Sequence, residues 1–368
     1  MAKKEKSATA RKILFQVHGG LGANIMKTAV VRQLRKENPD ATIHVKASYP
    51  DVFKGLPYVD EYFAGPPQQI IHGAYRTYKD FEFMGEAEPY LDKAYRDQGC
   101  HMIEAACRRY GLGKPEKNVG DVILSQREKK EVKKVLAQIL AQMPAAKDKK
   151  LIALQWTGGV PTFNQEMAND VGRITQARSL PKEVAQQVVD RLVKNDYAVL
   201  QISLPREESL NNVLRLYNDQ SNQPLPIRYL LALLDECEAF IGIDSFAMHA
   251  WAALGKKNGL AVWGATSPKQ LGYDSIVNLV PTNNPCDDVH CGRPLGFVGD
   301  FLGNGEPWTC PHDEACMKYN ADYIVGKFLT MIADNQPKAD KPEEPKNPLV
   351  PAEEKPAMEL VEAEPVNP

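Results

Sequence analysis

Three polar residues interrupt an otherwise apolar stretch, FIGIDSFAMHAWAALGKKNGLAVWGATSP, which covers residues 240–268. Asp244 and Ser245 directly follow the strand-like segment AFIGI, and His249 lies four residues beyond Ser245 on the same side of a helix. The plain interpretation is that Asp244 and Ser245 cap the helix and that His249 is an interior residue. Together, at the positive end of a helix, they also suit an anionic phosphate. Ser245 and backbone amides would then be hydrogen-bond donors, and His249 a donor or a cation.

A second candidate site is the glycine-rich stretch HGGLGAN near the N-terminus. Gly19, Gly20 and Gly22 lie between an apolar run and a helix, where they would let the backbone approach a ligand closely. Asn24 completes this glycine loop. The spacing does not match the dinucleotide-binding fingerprint, because the third glycine is missing. A ligand-binding loop and a plain tight turn therefore both fit the pattern.

A third candidate site is a group of four cysteines near the C-terminus, Cys286, Cys291, Cys310 and Cys316. They are separated by four, eighteen and five residues, which is looser than the two-residue knuckle of typical zinc sites. The chain holds seven cysteines, an odd number that argues against a disulfide-stapled scaffold. A structural zinc, free thiols and a local disulfide stay open at this site.

Two blocks of alternating strands and helices must position these residues. The first block begins with KILFQV, and the second restarts at KLIALQW after a lysine-rich helical stretch. This alternation is typical of parallel sheets, so we predict an α/β protein with two doubly wound, Rossmann-like domains. The predicted parts are a basic, flexible N-terminus (1–11), a first domain (12–147), a second domain (148–333) and a disordered tail rich in proline and glutamate (334–368).

Composition and charge exclude several classes of protein. A formal net charge of −2 over 368 residues gives no bulk attraction to nucleic acid or to an anionic membrane. No window approaches the roughly 18 uninterrupted apolar residues of a membrane span. The N-terminal segment also lacks an apolar stretch typical of a secretion signal. We therefore expect a cytoplasmic protein with no transmembrane segment.

The stretch from residue 240 to 268 resembles the nucleotide-sugar segment of glycosyltransferase family 9, the ADP-heptose lipopolysaccharide heptosyltransferases. That family has a strand, an Asp-Ser/Thr pair, a histidine, an alanine-rich helix and a second strand in this order. The matching residues are Asp244, Ser245, His249, Leu254, Gly255, Gly264 and Thr266. Weaker similarity, at ENPDATIHV, GLPYVDEYF and ARSLPKEVAQQVVDRL among others, extends over most of residues 12–330.

The resemblance implies the GT-B architecture, in which two facing α/β domains bind donor and acceptor in the cleft between them. The first domain would lie on the acceptor side, and the second would bind the nucleotide sugar. By position, Arg178 would be the cation at the donor phosphates, and Thr157 with Gly158 would contact them at a strand end. Taken alone, Arg178 would be a surface charge and the other two a turn. The resemblance also implies an inverting reaction that needs no metal ion for catalysis. Some members carry a similar cysteine-rich stretch, which implies that the four cysteines shape a loop beside the donor site.

The sequence departs from the family pattern at two positions. The family has Leu-Gly-Asp after its first strand, with the aspartate as general base on the acceptor hydroxyl, but Ala23 stands there in this chain. His18 is the nearest residue that could take the proton, and Asp51 is a distant alternative. Phe246 replaces a glycine of the family, which would crowd the diphosphate and alter the choice of donor.

We therefore expect a glycosyltransferase that moves a sugar from a nucleotide-diphosphate donor resembling ADP-heptose to a hydroxyl acceptor. Lipopolysaccharide core would be the ordinary acceptor, which implies peripheral contact with a membrane. The missing aspartate leaves two alternatives: a catalytically degenerate nucleotide-sugar-binding protein, and transfer to another acceptor such as a modified nucleic-acid base. A nucleotide-sugar epimerase is a further alternative, because that chemistry also uses this fold. No cofactor is expected for catalysis.

Overall fold

The computed structural model forms one compact unit up to Asn335. It describes residues 10–64, 77–85, 87, 89–141, 146, 148–158, 178–204, 207–215, 225–281, 286, 290–291 and 310–335. The predicted tail lies outside the described residues, apart from its first two residues, and the predicted flexible N-terminus lies outside them up to residue 9. None of the described helices is long and apolar enough to cross a membrane.

The first sheet has four parallel strands in the order β3-β2-β1-β4. Its strands and first helix are β1 (Lys12–Val17), α1 (Leu21–Glu37), β2 (Thr42–Ala47), β3 (Glu61–Phe63) and β4 (Glu82–Met84). The helices that follow are α2 (Lys93–Arg96), α3 (Met102–Arg109) and α4 (Gln126–Ala141). Ile13, Leu14 and Phe15 of β1 are all buried, as expected for a central strand covered on both faces.

The second sheet has six parallel strands in the order β10-β9-β8-β5-β6-β7. Its elements are β5 (Lys150–Leu154), α5 (Lys182–Lys194), β6 (Tyr197–Gln201), β7 (Leu214–Arg215), α6 (Ile227–Glu236), β8 (Ala239–Ile243), α7 (Phe246–Ala253), β9 (Gly259–Val262), α8 (Pro268–Leu271), β10 (Ile276–Leu279) and α9 (Ala321–Asp334). The predicted strand AFIGI is β8. The fold-class prediction, an α/β protein with two doubly wound parallel sheets, is confirmed.

Two apolar clusters cover the two faces of the second sheet. Ile152 and Leu154 of β5 belong to the cluster with α5 and α9, whereas Leu151 and Ala153 belong to the cluster with α6 and α7. This division follows from the strand period of two. The cluster with α6 and α7 continues into the first half of the chain, where it includes Phe15 of β1. The two halves therefore share one core, and α1 packs directly on α7.

A buried ion pair also fastens the halves together. Arg228 on α6 donates to both carboxylate oxygens of Glu128 on α4, at 2.9 Å each. The same guanidinium donates to the carbonyl of Ile123 at 2.5 Å and to that of Asp51 at 3.3 Å. The hydrogen bond from Arg228 is the largest cause that holds the pKa of Glu128 far below its ordinary value. The predicted domain boundary, at residues 147/148, lies between α4 and β5.

Candidate functional site

The start of α7 is the centre of the predicted donor site. Ser245 is the N-cap residue of α7, but its side chain accepts no hydrogen bond from the helix. Gln155, just after β5, caps the helix instead, because its Oε1 accepts a hydrogen bond from the backbone amide of Ala247 at 3.2 Å. The Nε2 of Gln155 donates to Ser245 Oγ at 3.0 Å. The Ser245 hydroxyl therefore keeps its own proton for a ligand, and the plain capping interpretation does not describe it.

Asp244, Arg178 and His249 lie together beside this helix start. Arg178 Nη1 donates to the carbonyl oxygen of Asp244 at 3.2 Å and lies 4.0 Å from its Oδ2. His249 Nε2 lies 3.7 Å from Asp244 Oδ1. Asp244 and His249 are only 3% and 4% exposed. The structure thus brings together three residues that are separated by up to 71 positions, as a donor site would require.

Several buried polar atoms at this edge of the second sheet have no hydrogen-bond partner in the described part of the chain. They are Asp244 Oδ2, Arg178 Nε, Thr157 Oγ1 and Thr266 Oγ1. Thr157, Asp244 and Thr266 follow β5, β8 and β9, so these atoms lie at the carboxyl ends of neighbouring strands. We call these four residues the donor edge. A buried polar group without a partner costs about 1–3 kcal/mol, so their concentration at one place indicates a ligand that supplies the partners.

Gly158 makes a different contact from the one predicted. Its backbone amide donates to Ser179 Oγ at 3.1 Å, so the amide is already bound within the protein. Ser179 lies next to Arg178 in the sequence. This hydrogen bond therefore connects the turn after β5 to the segment that contains Arg178, the candidate phosphate-binding residue.

Burial lowers the pKa of His249 to about 4. The side chain is therefore neutral near pH 7 and acts as a hydrogen-bond donor or acceptor and not as the cation that the sequence left open. Its Nδ1 lies 2.7 Å from the hydroxyl of Tyr273, whose own pKa is raised by burial. When this hydroxyl donates to Nδ1, the imidazole proton resides on Nε2, which faces Asp244.

The glycine loop, which belongs to the first half of the chain, packs against His249. Gly22 packs so closely that a Cβ built on it would lie 2.7 Å from His249 Cδ2. Gly19 has a φ of 93°, in the left-handed region that favours glycine. Asn24 Nδ2 donates to the carbonyls of Gly19 and Gly20 at 3.1 and 3.0 Å, and its Oδ1 accepts from Tyr49 N at 3.3 Å. Asn24 therefore fixes the loop from within.

His18 lines a cavity at the carboxyl end of β1, and Asp51 does not. The cavity has a volume of about 150 Å³, and Gly19, Gly20 and Ala23 also line it. The Nε2 atom of His18 contacts the side-chain amide of Gln16. Asp51 is exposed on a 3₁₀ helix, where its carbonyl accepts from Arg228. Of the two predicted bases, His18 is thus the one that lines this cavity, and its role as base stays a prediction.

Two residues that contact the α7 segment, and one buried lysine on β2, were not predicted. Gln155 and Tyr273 contact the α7 segment from distant parts of the chain, and no local pattern marks them. Lys46 on β2 is 2% exposed, and its ammonium has no hydrogen-bond partner in the described residues. Burial lowers its pKa, and it lies in register with Gln16. The alternation of β2, TIHVKA, could have revealed Lys46 as a polar residue on the face opposite Val45.

The four cysteines for which a zinc ion, free thiols and a disulfide were left open lie near one another. Burial, with smaller contributions from the neighbouring thiols of Cys291, Cys310 and Cys286, raises the pKa of Cys316 to about 11. None of the four forms a disulfide bond in the described part of the chain. Among the described residues, no three histidine, cysteine or acidic side chains are arranged to hold a metal ion. Thiols are suitable ligands for zinc or iron, but these four are not arranged as a closed metal site.

No protein-family model matches this chain, and no curated protein matches it either. Solved structures do share its fold. A glycosyltransferase of family 9 from Veillonella parvula is 12% identical with a TM-score of 0.57, over 90% of this chain and all of that chain (100%). ADP-heptose lipopolysaccharide heptosyltransferase II from E. coli is 14% identical with a TM-score of 0.52, over 78% of this chain and 98% of that one.

The third similar structure is the iron-containing dodecameric glycosyltransferase TibC from enterotoxigenic E. coli. It is 12% identical with a TM-score of 0.58, over 88% of this chain and 77% of that chain. A second structure of TibC contains ADP-D-β-D-heptose and aligns with a TM-score of 0.56 at 11% identity, with the same shares covered. At these identities the likeness establishes the fold, which is that of family 9 glycosyltransferases and thus of the expected GT-B type.

Proposed function

We propose that this chain is a divergent family 9 glycosyltransferase that moves a sugar from a nucleotide-diphosphate donor to an acceptor hydroxyl. The observation that carries the proposal is the donor edge, whose buried polar atoms lack partners at neighbouring strand ends. The same fold binds ADP-D-β-D-heptose in TibC, which supports a related donor here. By analogy with the ADP-heptose lipopolysaccharide heptosyltransferase from E. coli, we propose lipopolysaccharide core as the acceptor, reached from the cytoplasm by peripheral membrane contact.

The donor-edge residues and their neighbours divide into groups that suit different parts of a nucleotide sugar. The Arg178 guanidinium, the Ser245 hydroxyl and the amides at the start of α7 are donors, so they suit the diphosphate oxygens. The Nε2–H of His249 adds a neutral donor at the same place. Asp244 is an acceptor only and suits sugar or ribose hydroxyls, while its charge also holds Arg178 in place.

The reaction we propose is an inverting displacement. The acceptor oxygen forms a bond to the anomeric carbon of the sugar, and the bond from that carbon to the diphosphate oxygen breaks with its electron pair leaving on the diphosphate. His18 takes the acceptor proton as the new bond forms. Arg178 and the helix start stabilise the charge that grows on the departing diphosphate. In this proposal His18 supplies the base, and Arg178 with the start of α7 supplies the stabilisation of the leaving group.

For the four cysteines we propose a structural metal ion, zinc or iron, whose binding would require the thiols to rearrange from the positions seen here. The proposal is supported by the shared neighbourhood of the thiols and by the iron in TibC, which has the same fold. Metal analysis of the purified protein tests it. We expect about one equivalent of metal in the unaltered protein and loss of that metal in the Cys291→Ser variant.

The donor proposal is tested by thermal unfolding with ADP-, UDP-, GDP- and CMP-linked sugars. A ligand that binds only the folded state raises the midpoint of unfolding. We expect a clear shift with one nucleotide series and its loss in Arg178→Ala, whereas the surface variant Lys182→Ala keeps it. No shift with any nucleotide sugar would overturn the donor site.

A non-catalytic nucleotide-sugar-binding protein is the second candidate. Ala23, at the place of the family's aspartate, is the observation that favours it. Such a protein would show the thermal shift without transfer or hydrolysis of the donor. Product analysis after incubation with the identified donor therefore separates the two candidates.

A further inference from the structure

Gln155 joins the second sheet to the start of α7 through its side-chain amide. It directly follows β5 and is only 3% exposed. Its backbone amide donates to the carbonyl of Ile241 on the neighbouring strand β8, at 3.0 Å. Because β8 leads into α7, this anchoring holds the side chain of Gln155 beside the helix start where the diphosphate is proposed to bind.

The orientation of this side-chain amide follows from its partners. The backbone N–H of Ala247 can only donate, so the atom that lies 3.2 Å from it must be Oε1, the acceptor of the amide. The NH₂ group then faces Ser245 Oγ at 3.0 Å, and this group can only donate. Ser245 Oγ must therefore accept a hydrogen bond from Gln155.

The contact with Gln155 determines the role of the Ser245 hydroxyl. Its proton must point away from the NH₂ group that donates to Oγ. Ser245 Oγ donates no hydrogen bond within the described part of the chain. Three hydrogen bonds would then run in one direction, from Ala247 to Gln155, from Gln155 to Ser245 and from Ser245 to a ligand, and each polarises and strengthens the next.

Gln201 makes similar contacts without reaching a hydroxyl. It ends β6 on the other side of β5 and is also 3% exposed. Its Oε1 accepts from the backbone amide of Leu210 at 2.9 Å, and its Nε2 donates to the carbonyl of Glu208 at 2.7 Å. Both ends of this amide bind the backbone of one loop, so Gln201 closes that loop. Gln155 differs because its NH₂ group orients a side chain that can itself donate.

These constraints select the kind of ligand atom that Ser245 can meet. An ionised phosphoryl oxygen accepts strongly and carries no proton, so it completes the series of hydrogen bonds. The Arg178 guanidinium, which donates to the carbonyl of Asp244 beside Ser245, favours the same negative charge. An ammonium or an amide NH₂ would instead meet the hydroxyl proton without offering a lone pair.

We propose that Gln155 is a positioning residue, which fixes the Ser245 hydroxyl as a hydrogen-bond donor to a diphosphate oxygen of the nucleotide sugar. Gln155 itself does not touch the ligand and acts through Ser245. This inference rests on the proposed function and deepens it, because it states which residue makes Ser245 select an ionised oxygen.

The test measures the effect of Ser245→Ala in two backgrounds, by calorimetric titration of the full chain with ADP-glucose, UDP-glucose and GDP-mannose. In the unaltered chain the loss of the hydroxyl should lower affinity about tenfold. In Gln155→Glu the carboxylate can only accept, so Ser245 donates to it and not to the ligand, and Ser245→Ala should lower affinity about twofold at most. The added charge is present on both sides of this comparison and cancels.

Gln155→Met is the second test, and it decides the matter if Gln155→Glu does not fold or binds too weakly. It removes both contacts of the amide and leaves Ser245 free to turn, so Ser245→Ala should lower affinity less than in the unaltered chain. Gln201→Met is the matched control. It should lower the midpoint of thermal unfolding, leave nucleotide-sugar affinity unchanged and keep the full effect of Ser245→Ala.

The outcomes separate this inference from the proposed function. If a nucleotide sugar binds and Ser245→Ala lowers its affinity equally in all backgrounds, or has no effect in the unaltered chain, the role of Gln155 is wrong and the donor proposal stands. If the unaltered chain binds none of the nucleotide sugars, the proposed function is overturned, and the role of Gln155 falls with it.

Discussion

The two sheets end in edges of opposite character, although both present the carboxyl ends of parallel strands. At the second sheet, Asp244, Arg178, Thr157 and Thr266 leave buried polar atoms without partners among the described residues. At the first sheet, Asn24 satisfies the carbonyls of its own loop, and the adjoining cavity is mostly apolar. The loop after β1 has therefore satisfied its own carbonyls, although the Lys46 ammonium on β2 also lacks a hydrogen-bond partner among the described residues.

This difference indicates how the two substrates would be bound. A diphosphate keeps its charge, so its site must offer donors and a cation that compensate for lost hydration. An acceptor hydroxyl needs one nearby base and surroundings that exclude water. In the proposed function the two sites lie at neighbouring edges, where Gly22 packs closely against His249.

The largest expected effect follows from removing the base at the first edge. His18→Ala should lower the turnover of sugar transfer by about 10²–10⁴, the usual contribution of general base catalysis. Donor affinity should stay unchanged, because His18 lies at the cavity and not at the donor edge. Steady-state kinetics with the identified donor and acceptor measure both quantities. Asp51→Asn is the control and should retain full turnover; a large loss there instead would move the base to Asp51.

The second prediction concerns the ion pair between Arg228 and Glu128, which joins the two halves of the chain. Arg228→Ala leaves Glu128 with its charge largely buried, since the two side chains are 11% and 14% exposed. We expect the free energy of unfolding to fall by about 3 kcal/mol at pH 7, measured by urea denaturation. Arg127→Ala breaks an exposed pair with Glu131 on the same helix and should leave this free energy unchanged.

The same pair predicts how stability depends on pH. The folded pKa of Glu128 is far below the ordinary value of about 4.3 for glutamate. The stabilisation is therefore fully present above about pH 4.3 and is lost as the pH falls towards the folded pKa. Between about pH 5 and pH 2 the unaltered protein should lose more stability than Arg228→Ala. Parallel curves for the two proteins would contradict the role of the pair.

The third prediction tests whether donor binding depends on the close packing of Gly22 against His249. Gly22→Ala places a methyl group 2.7 Å from His249 Cδ2, so the imidazole or α1 must shift. We expect a loss of about 1–3 kcal/mol in the free energy of unfolding, together with weaker donor binding. Gly20→Ala is the control, because nothing lies within 4 Å of its Cβ position. If Gly22→Ala binds the donor as well as the unaltered chain, the contact has no part in the donor site.

The fold was predictable because its signals are local. Buried parallel strands such as AFIGI give unbroken apolar runs, and glycines and polar caps mark where the strands end. The α7 segment was predictable for the same reason, since Asp244, Ser245 and His249 lie within six residues of one another. These patterns depend only on near neighbours in the sequence.

The rest of the site depends on contacts between distant parts of the chain. Gln155 and Ser245 are 90 residues apart, and Arg228 and Glu128 are 100 apart. Neither a glutamine after a strand nor an arginine in a helix shows which partner it will meet. The neutral state of His249 was also hidden, because it depends on burial between two halves of the chain.

The smallest expected effect concerns Tyr273, which contacts His249 behind the donor edge. Tyr273→Phe removes the hydroxyl that lies 2.7 Å from His249 Nδ1 and keeps the buried ring. Without this contact the imidazole proton is no longer held on Nε2, so His249 presents a donor to the ligand for only part of the time. We expect donor affinity to fall about fivefold, equivalent to about 1 kcal/mol.

Nitrogen NMR of the His249 ring distinguishes this positioning role from a loss of packing. In the unaltered chain the proton should reside on Nε2, and in Tyr273→Phe it should be shared between Nε2 and Nδ1. Tyr323→Phe, at a tyrosine that is 38% exposed, should change neither the spectrum nor donor affinity. A fivefold loss of affinity with an unchanged tautomer would show that Tyr273 acts through packing. The neutral Nε2–H would then have no role at the donor edge, and Arg178 with the start of α7 would hold the diphosphate without it.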